Sequence, residues 1–183
     1  MKEIILFNAD YRQDSLLREI CVENAIGLRI ISMEDLDQKV GYLAGLAGFD
    51  REDKKSDFES KYDFCFLLFK DFSNEEIFAF IDQMKKKDLY IAHKAALTEQ
   101  NIKWPLRFLL DENDQEHKTI ELVQEINSLV KIAHDHKEAH GENPEIKNQV
   151  QKINAYFQDP ESFELKEARK LKEELEAMVK KLN

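Results

Sequence analysis

The densest group of polar side chains lies in the segment Lys94-Ala95-Ala96-Leu97-Thr98-Glu99-Gln100-Asn101-Ile102-Lys103-Trp104. An ammonium group, a hydroxyl and an amide in one segment can together hold a carboxylate or a phosphate. The segment leaves the last predicted strand and leads into a helix at Pro105, and α/β proteins bind ligands at the carboxyl ends of their strands. The candidate ligand-binding residues here are Lys94, Thr98, Asn101, Lys103 and Trp104. Turn chemistry explains the same residue types, with Thr98 and Asn101 capping a turn and Trp104 packing a helix on a sheet.

Two acidic residues extend this candidate site. Asp10 and Asp71 each come just after a predicted strand, so they would form an acidic pair if the two strands are neighbours. Such a pair, with Lys94 and Thr98, would resemble a phosphoacceptor pocket. Acids at strand ends are also common turn formers, which is the simpler interpretation.

The histidines are the other group with possible chemistry. His136 and His140 are four residues apart, so on a helix they point the same way and supply two imidazoles to a divalent cation. Two ligands make half of a zinc site, and His117 or Glu138 would have to complete it. A solvated polar helix face explains the pattern without a metal. We therefore predict no metal, with His136 and His140 as weak candidates and His117 as a further ligand-binding candidate.

Motifs for cofactors and for nucleophilic catalysis are absent from the sequence. It holds no Gly-x-Ser-x-Gly elbow and no Gly-x-x-x-x-Gly-Lys loop, and the glycines at 41, 45 and 48 lack the Gly-x-Gly turn of a dinucleotide site. We therefore predict no cofactor. Cys21 and Cys65 have apolar neighbours and no Cys-x-x-Cys spacing, which favours buried, reduced thiols and a cytoplasmic location.

Composition excludes several classes of protein. The 183 residues include 37 acids and 27 bases, for a formal charge of −10, which repels phosphate backbones. No apolar run approaches the roughly 20 residues that a membrane span needs. We expect a soluble, acidic protein that binds neither nucleic acid nor membrane.

Four apolar runs predict the strands that position these residues: 4–7, 28–31, 64–69 and 89–97. Amphipathic segments between the runs predict helices, one beginning at Asp14-Ser15 and ending at Gly27, one over 36–46, and one capped by Ser73 with Glu76. The acidic and basic stretch 50–63 predicts a solvated connection. The fold class is therefore α/β, with α+β as the alternative. It has a four-stranded, parallel or mixed sheet, helices packed on it, and the run 64–69 as the central strand.

From Pro105 onward the sequence shows only helical periodicity. A long helix is predicted up to Gly141, followed by a helical hairpin that breaks at 159–162. The last helix carries an apolar seam at heptad spacing: Ala168, Leu171, Leu175, Met178 and Leu182. We expect an α/β domain over 1–118 and a helical extension over 119–183, whose seam docks on its own domain or on a second copy.

One segment resembles a known family. Lys94-Ala95-Ala96-Leu97-Thr98-x-x-Asn101-x-x-Trp104, followed by Leu109-Leu110 and Glu116-His117, resembles the end of a bacterial domain of unknown function, number 3783. The resemblance extends over about residues 1–118, although only the last 25 or so carry the motif. Pro105 departs from it, since a hydroxyl or small residue is expected there. The resemblance implies a bacterial origin and a shared fold, and it supplies no mechanism.

Two functions follow from these observations. The first is a non-enzymatic, cytoplasmic binding or interaction module that contacts a protein partner, a small ligand or a second copy, with the C-terminal helices used for docking. The second is a small enzyme or phosphoacceptor with its site at the carboxyl ends of the strands. No complete catalytic set is present, which favours the first.

Overall fold

The first β-α-β unit comprises β1 (Glu3–Phe7), α1 (Tyr11–Glu23) and β2 (Gly27–Ile31) in a computed structural model that describes residues 1–159 and 162–182. Helix α1 begins three residues before the predicted Asp14. The Asp10 carboxylate accepts the Gln13 N–H at 2.7 Å, and the Gln13 side chain accepts the Asp10 N–H at 2.9 Å. This capping box fixes the helix start. The predicted helix stop at Gly27 was also wrong, because Gly27 is the first residue of β2.

The second β-α-β unit comprises β3 (Phe66–Lys70), α3 (Asn74–Lys86) and β4 (His93–Ala96). Its helix begins as predicted, with the Ser73 hydroxyl accepting the Glu76 N–H at 3.3 Å and the Glu76 carboxylate accepting the Ser73 N–H at 3.0 Å. Both units therefore start their helices with the same reciprocal cap.

The two units form one four-stranded sheet in the order β2-β1-β3-β4. Strand β1 is parallel to β2, β3 is parallel to β4, and β1 and β3 are antiparallel. The predicted α/β class with a mixed sheet is confirmed. A constant offset of 63 residues relates β1 to β3, α1 to α3, and the cap residue Asp10 to Ser73. Because Ile5 pairs with Leu68 at that same offset, the units are related by an approximate two-fold axis near this pair.

Both faces of the two central strands, β1 and β3, are buried. Helices α1 and α3 cover one face, which presents Ile4, Leu6, Leu67 and Phe69. The other face presents Ile5, Phe7, Phe66 and Leu68, and it packs against the segment after β2 and against Leu106, Leu109 and Leu110. Burial of two adjacent strands on both sides explains their near-continuous apolar runs.

The segment between the two units is less helical than predicted. Instead of one helix over 36–46 it forms a 3₁₀ turn at Met33–Asp35 and the short helix α2, Val40–Leu43. Gly41 packs against the Phe49 ring, whose atoms lie 2.7 Å from the position that a Cβ at residue 41 would occupy. The following connection is held by Gln38, whose amide binds main-chain groups of Glu52 and Lys54 at 2.9 Å.

The described part of the chain after β4 is mainly helical, as predicted. It contains α4 (Leu106–His140), α5 (Pro144–Phe157) and α6 (Leu165–Val179), and the last turn Lys180–Leu182 is 3₁₀. The described chain divides into two compact units, Met1–Gln115 and Glu116–Asn183. Within residues 1–159 and 162–182, no helix has both the length and the apolar character needed to cross a membrane.

In the second unit, the α6 seam faces inward. Ala168, Leu171, Leu175 and Val179 are buried against Leu122, Ile126 and Ala133 of α4 and Ile146 and Ile153 of α5. The seam therefore packs on helices of its own unit. Met178, predicted in the seam, is only partly buried, because Val179 takes the inward position. The predicted break includes Pro160 and Glu161, which lie outside the described residues, as does the Leu182 side chain.

Candidate functional site

Thr98 and Asn101 close a turn directly after β4. The Thr98 N–H donates to Asn101 Oδ1 at 2.8 Å, and the Asn101 N–H donates to Thr98 Oγ1 at 3.1 Å. Asn101 Nδ2 also donates to the Ala96 carbonyl at 2.8 Å, and the Asn101 residue is only 6% exposed. Their polar groups therefore hold the turn that joins the sheet to α4, which is the structural alternative raised from the sequence.

Lys94 lies at the opposite end of β4 from this turn. Its ammonium group donates to the carbonyls of Ile91 and Ala92, which precede the strand, and it is 5.6 Å from the centre of the Tyr90 ring. Burial lowers the pKa of Lys94, with Lys85 as a smaller cause. The structure does not bring Lys94 and Thr98 together at one site.

Trp104 and Lys103 complete the segment. The Trp104 ring packs on the core and meets Phe108 edge-on with the ring centres 4.8 Å apart. Its carbonyl accepts the Val40 N–H at 2.9 Å, which ties the start of α4 to α2. The side chain of Lys103 is exposed.

Asp10 and Asp71 do not form the acidic pair that was raised as a possibility from the sequence. Strands β1 and β3 are neighbours, but they are antiparallel, so the residues that follow them lie at opposite ends of the sheet. Asp10 caps α1, and Asp71 Oδ2 is 3.2 Å from the amino terminus. The phosphoacceptor arrangement, which needs acids at one edge, does not form.

A charged cluster that the sequence did not indicate holds the 50–63 connection. Arg107 donates to Asp37 at 2.6 Å, to Glu59 at 2.5 Å and to Ser56 at 3.4 Å. The Ser56 hydroxyl donates to Asp37 at 2.7 Å. This hydroxyl first, and then Arg107, lower the pKa of Asp37. The cluster joins segments up to 70 residues apart, which no local pattern predicts.

The histidines of α4 lie in the second unit. The rings of His136 and His140 are 4.8 Å apart between their centres, as the spacing predicted. His134 Nδ1 is 3.6 Å from Glu138, and His117 Nε2 is 3.1 Å from Glu121. Among the described residues, no group of three or more histidine, cysteine or acidic side chains is placed to hold a metal ion.

The two cysteines are free thiols in apolar surroundings. Burial raises the pKa of Cys21 to about 11 and, with a smaller effect of Asp10, raises the pKa of Cys65 to about 12. A thiol with so high a pKa carries almost no thiolate near neutral pH and is a poor nucleophile.

One part of the chain matches a known protein family. Residues 65–120 match a family model described as a domain of unknown function (DUF3783). The DUF3783 segment begins at Cys65, so it contains β3, α3, β4, the Thr98–Asn101 turn and the start of α4. The resemblance is confirmed for this partial segment, while residues 1–64 lie outside the match. Neither the curated proteins nor the solved structures contain a significant match.

Proposed function

We propose that this chain is a non-enzymatic interaction module of the bacterial cytoplasm that binds a protein partner. The Thr98–Asn101 turn supports this proposal most directly. Both polar side chains of the most promising candidate site bind each other's main chain or the Ala96 carbonyl, at 2.8 to 3.1 Å. The buried Asn101 amide is thereby committed to the turn, and the oxygen of the exposed Thr98 hydroxyl already accepts a main-chain N–H.

The arrangement of the other candidates agrees with this function. The Lys94 ammonium group is bound to two carbonyls, and Asp10 and Asp71 lie at opposite ends of the sheet. In the second unit, the α6 seam is buried against α4 and α5. Partner binding is therefore proposed for the α/β unit, in place of docking through the seam.

A thermal-shift experiment tests the non-enzymatic part of the proposal. The full chain would be heated with phosphate, citrate and ATP, each at about 1 mM, alongside the variants Thr98→Ala and Lys94→Ala. We expect no stabilisation by these anions, and a lower melting temperature for Thr98→Ala because its turn is weakened. The exposed hydroxyl variant Ser15→Ala is the matched control, with an unchanged melting temperature.

The opposite result would identify a small-ligand site. Bound ligand stabilises the folded state in proportion to the logarithm of its concentration over its Kd. Stabilisation of the wild-type chain by one of the anions, lost in both Thr98→Ala and Lys94→Ala, would contradict the proposal. Cross-linking of the full chain in its native cytoplasm, followed by mass spectrometry, tests the partner: a stoichiometric protein cross-linked to the α/β unit is expected.

A further inference from the structure

The outer edge of β2 carries main-chain groups without partners. Gly27 N–H donates to the Lys2 carbonyl at 3.0 Å, and the pairing is parallel, so Gly27, Arg29 and Ile31 direct their main-chain groups toward β1. Leu28 and Ile30 therefore direct theirs outward. Within residues 1–159 and 162–182, their N–H and C=O groups bind nothing.

At the other edge of the sheet, the outward carbonyls of β4 are hydrogen-bonded to side chains. By the approximate two-fold axis, Lys94 and Ala96 of β4 correspond to Leu28 and Ile30 of β2, since they pair with equivalent residues of the central strands. The Lys94 carbonyl accepts Asn113 Nδ2 at 3.0 Å, and the Ala96 carbonyl accepts Asn101 Nδ2 at 2.8 Å. Two asparagines thus cover the carbonyls of β4, while the equivalent carbonyls of β2 stay open.

The positive charge of Arg29 at the open edge of β2 favours an acidic binding partner. Arg29, at the centre of β2, has a side chain that is 42% exposed, and its Nε donates to Glu3 at 3.0 Å. The same carboxylate lies 3.4 Å from the Lys70 ammonium group. Two cations, Arg29 and Lys70, thus share the Glu3 carboxylate, which leaves one positive charge of this group unbalanced beside β2.

A second copy of the chain fits this edge poorly. Antiparallel pairing of two β2 strands that satisfies both Leu28 and Ile30 puts Arg29 directly opposite Arg29 of the copy. Like charges at directly opposite positions destabilise a strand pair. An acidic side chain opposite Arg29 would instead stabilise the strand pair, because opposite charges at that position attract.

Apolar side chains are favoured at the flanking positions of an added strand. Ile30 is 53% exposed and points to the face opposite Arg29, as does Leu28. Ile30 also lines a crevice of about 340 Å³ with Asn8, Ala9 and Met33. An added strand would place an apolar side chain beside Ile30 and an acidic one beside Arg29.

We infer that β2 binds an extended peptide segment of a partner protein, with an acidic residue opposite Arg29 flanked by apolar residues. The segment adds a fifth strand to the sheet through hydrogen bonds to Leu28 and Ile30, the mode of recognition known as β-augmentation. This inference names the surface and the partner class of the proposed interaction function, and it rests on that function.

Amide-resolved NMR of the full chain with a synthetic peptide tests the inference. The probe is an acetylated Thr-Val-Glu-Val-Thr peptide, and its matched control carries glutamine in place of glutamate. We expect the probe to slow hydrogen exchange at the Leu28 and Ile30 amides, with no effect at Lys94 and Ala96. The glutamate peptide should bind about two- to fivefold more tightly than the glutamine peptide, and Arg29→Ala should abolish that difference.

A pair of edge variants supplies the structural control. Ile30→Pro removes an N–H that points out of the sheet, a position where proline is tolerated in an edge strand, and it should abolish peptide binding. Ala96→Pro makes the equivalent change on β4 and should leave binding unchanged. The exchange measurement on the wild-type chain decides the question even if a proline variant fails to fold.

Several results would overturn the inference. No change at Leu28 and Ile30 with about 1 mM peptide would do so, as would protection at Lys94 and Ala96 instead. Protection that rises with protein concentration in the absence of peptide would assign the edge to a second copy. If the native cross-linked partner is retained by Ile30→Pro, the edge is not its site while the proposed function stands. If no partner is found and an anion stabilises the chain, the proposed function itself fails.

Discussion

Asn101→Ala removes the side chain that decides between a turn and a ligand site. The Asn101 amide makes two hydrogen bonds of 2.8 Å, one from the Thr98 N–H and one to the Ala96 carbonyl. Each neutral hydrogen bond contributes about 0.5–1.5 kcal/mol net, so the two together contribute about 1–3 kcal/mol. We expect a loss within this range because the Asn101 side chain is buried, while Thr98 is exposed and Ala96 half-buried, so water can reach part of what the deletion uncovers.

Urea unfolding at about pH 7, followed by the fluorescence of Trp104, measures this loss. Trp104 is the only tryptophan and lies three residues from Asn101, so its emission reports on the first unit. Asn101→Asp keeps the oxygen that accepts the Thr98 N–H but places a carboxylate oxygen against the Ala96 carbonyl in a buried position, so a loss at least as large as that of Asn101→Ala is expected. Asn74→Ala, at an exposed position on α3, is the matched control and should stay within about 0.5 kcal/mol of wild type.

A small effect would refute the structural role of the turn. If Asn101→Ala loses less than about 0.5 kcal/mol, its two hydrogen bonds do not hold the segment. The amide would then be free to serve a ligand, and the interpretation of the whole 94–104 segment would have to change.

Three further predictions concern the long connection and the thiols. Gln38→Ala should lower the free energy of unfolding by about 2–4 kcal/mol, since it deletes three hydrogen bonds, and should speed proteolysis within residues 50–63; unchanged cleavage would show that Gln38 does not hold the connection. The pKa of Asp37 is lowered in the folded chain, so its contribution to stability is present above the unfolded pKa of about 3.9 and is lost as the pH falls through the folded value. The gap in urea midpoint between wild type and Asp37→Asn should therefore shrink from about pH 7 to about pH 3, and a constant gap would contradict this. Cys21, which is buried and has a pKa of about 11, should react with an aromatic disulfide reagent at about pH 8 only on unfolding, and the half-buried Cys65, with a pKa of about 12, should react slowly in the native chain; rapid labelling of native Cys21 would contradict its burial.

Local signals in the sequence predicted the elements of the fold well. The four apolar runs became the four strands, and Ser73 with Glu76 gave the start of α3. The start of α1 was missed because its capping box has Asp10 in place of the usual serine or threonine, with Gln13 as its partner. A helix cap depends on four consecutive residues, so the sequence contains what is needed to find it.

The site depended on information that is not local. Whether Asp10 and Asp71 share an edge is decided by the direction of β3 relative to β1, which the connection over residues 32–65 sets. The role of Asn113 depends on which carbonyls of β4 face outward, and so on the register of β3 with β4. Neither quantity follows from the periodicity of a single segment.

The two-fold relation between the β-α-β units was equally hidden in the sequence. Equivalent positions carry different residues, such as Asp10 and Ser73 at the caps, and Leu28 and Lys94 at the edges. What the units share is geometry: the lengths of the first strand and of the helix, and residues with positive φ directly after β1 and β3, Asn8 and Asp71. The difference between the hydrogen-bonded carbonyls of β4 and the open carbonyls of β2 can be seen only when the two strands are compared as equivalent strands.

One NMR titration of the full chain tests the central claim. The claim is that the polar side chains of residues 94–104 stabilise the fold and bind no ligand, while β2 binds a partner. The amide signals would be followed while phosphate, and separately the Thr-Val-Glu-Val-Thr peptide, is added. We predict that the peptide shifts Leu28 and Ile30 and that phosphate leaves Thr98 and Asn101 unchanged. Saturable shifts of Thr98 and Asn101 with phosphate, with Leu28 and Ile30 unmoved by the peptide, would contradict the claim.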